Sequence, residues 1–146
     1  MTIATKTTSF ETRHVLPDDE RQIAQAVIAE VHQLFQNPPG NQRETYDVLI
    51  AKTPIADGVT LEAVDRDGVG GWWVRPTGAP ADRAILFLHG GAYIAGSATA
   101  YRGLASQVAV RALVATFVAD YPLAPEHAFP AAHHAAAAAS RQGRTA

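Results

Sequence analysis

Two stretches in the second half of the chain have residue types and spacing suited to chemistry. The first is Leu88-His89-Gly90-Gly91-Ala92-Tyr93, directly after the unbroken apolar run Ala84-Ile85-Leu86-Phe87-Leu88. Consecutive glycines after a strand let the backbone turn tightly and leave its amides bare. In open α/β sheets ligands bind at that end of the strands. Bare N–H groups there can point at a developing oxyanion, a contact worth roughly 3–4 kcal/mol per donor. Taken alone, a glycine pair after a strand is most often just a turn, and His89 is more often a structural hydrogen-bonding residue than a base. The second stretch, Asp120-Tyr121-Pro122-Leu123-Ala124-Pro125-Glu126-His127, follows the next apolar run, Leu113 to Ala119.

The elements that must position these loops are legible in the pattern. Residues 1–13 read as a frayed tail. Pro17-Asp18-Asp19-Glu20 places proline and acids at a helix start, with Asp19 and Gln22 as a loose capping box. Ile23, Ala26, Val27, Val31, Leu34 and Phe35 then share one helical face, and Asn37-Pro38-Pro39-Gly40 stops the helix. Tyr46 to Ala51 fits a short helix or an extended run. Val59 to Val64 and Gly70 to Arg75, joined by Asp67-Gly68, predict a hairpin. The runs ending at Leu88 and Ala119 suit strands buried on both faces. Thr99 to Arg111 lies between them, with Tyr101, Leu104, Ala105, Val108 and Ala109 on its apolar face and Ser97 as its cap. Strand, helix, strand at this spacing is a βαβ unit. Ala131 to Ala139 is helical on alanine propensity.

Together, His89-Gly90-Gly91-Ala92-Tyr93 and Asp120 to Ala132 closely resemble the hormone-sensitive-lipase-like (family IV) esterases of the α/β-hydrolase fold. Those proteins carry a His-Gly-Gly-Gly loop and then Asp-Tyr-Arg-Leu-Ala-Pro-Glu-His after the next strand. The resemblance is specific over about 84–132 and extends from residue 17. It implies an α/β chain: an N-terminal helix serving as part of a cap, then the N-terminal hairpin and parallel βαβ unit of an incomplete hydrolase sheet. Residues 1–40 would be tail and cap helix, and 41–146 the hydrolase part, ending before the nucleophile elbow. The resemblance also assigns roles. Gly91 and Ala92 would supply oxyanion amides, with Gly90 shaping the turn, while His89 supports the loop. Tyr93 would line the acyl or alcohol pocket, and Glu126 and His127 would brace the site from behind. Two departures stand out. Ala92 replaces a third glycine, so its backbone must suit a residue with a Cβ. Pro122 replaces an arginine, removing a charge and a backbone donor.

A serine hydrolase of this kind needs Gly-x-Ser-x-Gly, then an acid, then a histidine. The serines are Ser9, Ser97, Ser106 and Ser140, and none has glycine two residues before and two after. Nucleophile, acid and base are therefore expected to be absent. The expected function is a carboxylic-ester hydrolase fragment holding the oxyanion loop, inactive alone, with a small-molecule acyl ester as the family's substrate. Half of a split hydrolase, or a binding or regulatory protein using the cleft, are the alternatives. In the family's sheet the strand ending at His89 lies beside the nucleophile strand. Ile85 to Leu88 should here be an open apolar edge, prone to pair with a second polypeptide or to self-associate.

Composition narrows the remaining classes. A net charge of −2 offers no footprint for nucleic acid. The chain has no cysteine, which excludes disulfides, thiolate nucleophiles and Cys-type zinc sites. Asp120, Glu126, His127, His133 and His134 show no metal-binding spacing, and the two adjacent histidines would point about 100° apart on a helix. No metal or organic cofactor is expected. No segment approaches the roughly 18 apolar residues of a membrane span, and a cytoplasmic location is the default expectation.

Overall fold

The computed structural model describes residues 15–66 and 68–142. The expected frayed tail, the Asp67 half of the hairpin turn and residues 143–146 lie outside the described residues. The chain divides into two units between Gln33 and Leu34. Helix α1 (Asp18–Gln36) makes up most of the described part of the first. It starts one residue before the expected cap. The Pro17 carbonyl accepts the Arg21 amide at 2.9 Å, so Pro17, not Asp19, holds the cap position. The expected stop after Gln36 is where the helix ends. Its apolar stripe is present but unburied: Ile23 is 65% exposed, Val27 53% and Phe35 48%.

In the second unit, α2 (Gln42–Ile50) resolves the ambiguous stretch as helix. Asn41 Oδ1 accepts the amides of Arg43 (2.9 Å) and Glu44 (3.0 Å), and Glu44 Oε2 accepts the Asn41 amide at 2.8 Å. This capping box satisfies orphan donors at both ends of the first turn. The signature Asn41-x-x-Glu44 is visible in the sequence.

The sheet holds β1 (Val59–Arg66), β2 (Val69–Pro76), β3 (Ala84–Leu88) and β4 (Ala115–Ala119) in the order β1-β2-β4-β3. The expected hairpin forms as antiparallel β1 and β2, with Leu61 opposite Val74. The expected βαβ unit forms as parallel β3 and β4 joined through α3 (Ala98–Ala112), and β2 runs antiparallel to β4. Alternate residues face opposite layers. Val74 and Val118 pack with Ala98, Tyr101, Ala105 and Ala109 of α3. Trp73 and Phe117, ring centroids 5.1 Å apart, pack on the other face with Ala139 of α4 (Ala131–Gln142).

Two expectations need correction. Both parallel strands were expected to be buried on both faces, but only β4 is: all five of its residues are buried, whereas Ala84 and Leu88 of β3 are exposed. Among the described residues β4 lies between two strands, and β3 is the outermost, pairing only with β4. The apolar face of α3 is also rotated. Tyr101, Ala105 and Ala109 are buried as expected, but Leu104 is 39% exposed and Gly103 and Ser106 are buried instead. Small residues there admit the backbone of residues 53–56. A Cβ on Gly103 would run into the Thr53 carbonyl, and Ser106 Oγ accepts the Ala56 amide at 2.8 Å while donating to the Gly103 carbonyl at 2.6 Å. No helix among the described residues is long and apolar enough to cross a membrane.

Candidate functional site

Because β3 and β4 are parallel, the loops that follow them leave the same end of the sheet. The first begins with His89, which is 4% exposed. Its ring stacks on Tyr121, centroids 4.1 Å apart and 13° from parallel, and lies 5.5 Å from the Tyr101 ring. Nδ1 is 2.9 Å from the Gly90 carbonyl. A carbonyl only accepts, so Nδ1 carries the proton. Nε2 is buried and has no partner among the described residues, so it is not placed to serve as an accessible base. The Tyr121 hydroxyl donates to the His89 carbonyl at 2.5 Å, and the hydroxyls of Tyr46 and Tyr101 are 2.8 Å apart. Burial pushes both the Tyr101 and Tyr121 hydroxyls above the ordinary tyrosine value, so they stay neutral.

Gly91 has φ +126°, and a Cβ there would run into the Ala95 carbonyl. Its own carbonyl accepts the amides of Ile94 and Ala95, each at 3.0 Å. Ala92 and Tyr93 then follow at φ +54° and +64°. Left-handed conformations cost non-glycine residues about 1–2 kcal/mol each. Neither the Gly91 nor the Ala92 amide donates to a partner among the described residues. The sequence condition on Ala92, that its backbone suit a Cβ, is thus met only with strain. Ala92→Gly is expected to be neutral or to stabilise the chain by about 1 kcal/mol, strain relief outweighing the entropy of an added glycine. Thermal unfolding checks this, and a loss of more than about 1 kcal/mol would mean position 92 carries no such strain.

The second loop lies against the first. The Tyr93 carbonyl accepts the Ala124 amide at 2.8 Å. The Tyr93 ring is 6.1 Å from that of His133 and nearly parallel to it, beside a cleft of about 160 Å³ also lined by Pro122, His127 and Phe129. Glu126 receives a forked pair of bonds from Arg43: Nη1 to Oε1 at 3.0 Å and Nη2 to Oε2 at 2.7 Å. The same guanidinium reaches the Ala124 carbonyl through Nη2 and the Ile94 carbonyl through Nε, both at 2.6 Å. The Arg43 hydrogen bonds hold the Glu126 carboxyl below the usual carboxylate range. The pairing therefore favours the folded chain above that range and is lost as pH falls through the depressed value. His127 is exposed, its amide donating to the Leu123 carbonyl at 2.9 Å.

All seven residues singled out in the sequence thus gather in these two adjacent loops. Sequence reasoning missed three contributors. Arg43 lies 83 residues from Glu126, and no local pattern marks it. Asp120, which opens the second motif, accepts the Ala98 amide at 2.6 Å and shares the capping of α3 with Ser97, whose Oγ accepts the Ala100 amide at 3.1 Å. Asp47 accepts the Ser97 hydroxyl at 2.7 Å. Among the described residues no three His, Asp or Glu side chains group as a metal site requires.

The α/β-hydrolase fold family matches residues 85–145, spanning both loops. An esterase of Acinetobacter venetianus is 34% identical over 94 residues, covering 64% of this chain and 31% of that protein. An acetyl-hydrolase of Streptomyces hygroscopicus is 42% identical over 69 residues, or 47% of this chain and 23% of that one. An esterase from the bacterial hormone-sensitive lipase family superposes with a TM-score of 0.72 at 32% identity, over 80% of this chain and 40% of that structure. A hormone-sensitive-lipase homologue from a metagenome library superposes at 0.69 and 34% identity, over 83% and 40%. The chain therefore spans less than half the length of each of these relatives. Over the part of the fold that it covers, the chain is built like the hormone-sensitive-lipase-like α/β hydrolases.

Proposed function

We propose that this chain supplies the oxyanion loop of a carboxylic-ester hydrolase acting on small acyl esters of short or medium chain length. The observation that carries the reading is the pair of unclaimed amides at Gly91 and Ala92, in a glycine-dependent turn at the C-terminal end of a parallel strand. When a serine oxygen adds to an acyl carbonyl, the carbonyl oxygen becomes an anion that such amides stabilise by roughly 3–4 kcal/mol per donor. Gly90 shapes the turn and His89 supports it from the core. Tyr93 lines the acyl or alcohol side, and Glu126 and His127 form the brace behind the loop. Residues 41–146 make up the hydrolase part, and α1 within 1–40 belongs to a cap. The chemistry needs no organic cofactor or metal.

None of the four serines stands in a Gly-x-Ser-x-Gly elbow, so the nucleophile comes from a polypeptide segment other than these residues. The outer edge of β3, which among the described residues pairs only with β4, would accept a strand from that segment or, in a split arrangement, from a second polypeptide. Hydrolysis of p-nitrophenyl butyrate tests the reading in two arms. The chain alone is expected to stay at buffer background. Mixed with a polypeptide carrying the serine-to-histidine remainder of a hormone-sensitive-lipase-like esterase, it is expected to hydrolyse the ester. Gly91→Pro, which removes one oxyanion donor and cannot adopt the φ of +126° that the turn requires, is expected to cut that rate by at least about 10²–10³-fold. A bound but inactive mixture would overturn the oxyanion assignment. Activity of the chain alone, lost in Gly91→Pro, would place a nucleophile within these residues.

A further inference from the structure

Ala92 and Tyr93 hold consecutive left-handed conformations although neither is glycine and both are exposed. Strained backbone of this kind persists only where its surroundings over-determine it. Burial of the two side chains does not do so here, which leaves the main-chain bonds around them. One is the Ala124 amide on the Tyr93 carbonyl. Next along the chain, the Ile94 carbonyl is taken by Arg43 Nε at 2.6 Å, and the Ile94 amide is bonded to the Gly91 carbonyl. The peptide units on either side of Ala92 and Tyr93 are thus pinned, and one of the pins comes from a different element, α2.

From this geometry we infer that Arg43 is the positioning residue of the oxyanion loop, setting the backbone of Ala92 and Tyr93 by holding the Ile94 carbonyl against the 124–126 turn. Arg43 suits this role because its guanidinium is planar and presents several donors in a fixed fork. Four acceptor oxygens from three residues in two loops are engaged at once: the Ile94 carbonyl, the Ala124 carbonyl and both Glu126 carboxylate oxygens. Glu126 faces the far edge of the fork and fixes the plane of the guanidinium, so Nε stays aimed at Ile94. The arginine starts from a defined place, since the Asn41 capping box ties down the backbone amide of Arg43 itself. Lysine could reach one of these acceptors but not hold all four. The inference rests on the oxyanion reading for its functional meaning, while its geometric content is measurable without any ester.

The test uses the full 146-residue chain as Arg43→Lys, Arg43→Met and Glu126→Gln. Two readouts are the three-bond HN–Hα couplings of Ala92 and Tyr93, which report φ, and amide exchange at Ile94 and Ala95. Both Arg43 variants are expected to move the couplings and to speed exchange at Ile94 and Ala95 by about tenfold, the scale of a lost charge-assisted hydrogen bond. Exchange at Phe117 and Val118 of β4 should be unchanged. Glu126→Gln keeps the carbonyl contacts and should move the same couplings less. Couplings unchanged in Arg43→Lys would overturn the inference, as would an equal rise in exchange across β4, which marks a general loss of stability. In the two-polypeptide assay Arg43→Lys should lower kcat with little change in KM. An inactive native mixture beside shifted couplings would sink the oxyanion reading alone, and an active mixture beside unshifted couplings would sink only this role for Arg43.

Discussion

Gly91→Ala is expected to destabilise the chain by about 2–3 kcal/mol, the range for a side chain forced into backbone space that only glycine occupies. Two observations combine here. At φ +126° the residue lies in a conformation that side chains rarely adopt. The added Cβ would also overlap the Ala95 carbonyl, which is backbone and cannot move aside as a flexible side chain would. The turn closed by the Gly91 carbonyl on the Ile94 and Ala95 amides must then open, carrying both oxyanion amides with it. Denaturant unfolding measures the stability change, which should move the midpoint and leave the slope unchanged. In the two-polypeptide assay the same substitution should depress hydrolysis by about 10²-fold or more, the cost of misplacing a donor. A native midpoint would mean that the loop tolerates a side chain at position 91 and that its shape does not depend on glycine. The contrast with Ala92→Gly is direct, since one residue downstream glycine is expected to be neutral or stabilising.

His89→Ala should cost still more, about 3–4 kcal/mol, which is the range for truncating a large ring in a core. The ring is buried between Tyr101 and Tyr121, and an aromatic stack of this kind adds about 0.5–1.5 kcal/mol beyond its area. Its removal also strips the Gly90 carbonyl of the Nδ1–H donor. For a chain of this size the change corresponds to a fall of roughly 6–16 °C in Tm, measurable by circular dichroism. A fall of less than about 2 °C would show that the ring does not carry the loop. The prediction also separates two roles for this histidine. A base would lose activity without losing stability, whereas the buried, Nδ1-donating ring should lose stability first.

Where signals are local, the residues announce the structure. Asn37-Pro38-Pro39-Gly40 ends α1 because proline cannot continue a helix, and Ser97 caps α3 through its own side chain. The alternation of Val59 to Arg75 fixes the hairpin, and two short apolar runs around a helical stretch form the parallel pair. The placement of His89-Gly90-Gly91 at a strand end follows from the same reading. Asn41-x-x-Glu44 was equally local and went unused, which left α2 ambiguous. Only the tertiary structure decided the rest. Periodicity records which residues are apolar but not which strand is outermost, so Leu86 of β3 and Phe117 of β4 read alike by pattern; only the family resemblance puts Ile85 to Leu88 at an open edge, where the order β1-β2-β4-β3 places it. The face that α3 buries is chosen by the backbone of residues 53–56, which needs Gly103 and Ser106 small. Left-handed φ at Ala92 and Tyr93 is written in neither residue type. It is imposed by bonds from Ala124 and Arg43, residues that meet the loop only after the chain between them has folded.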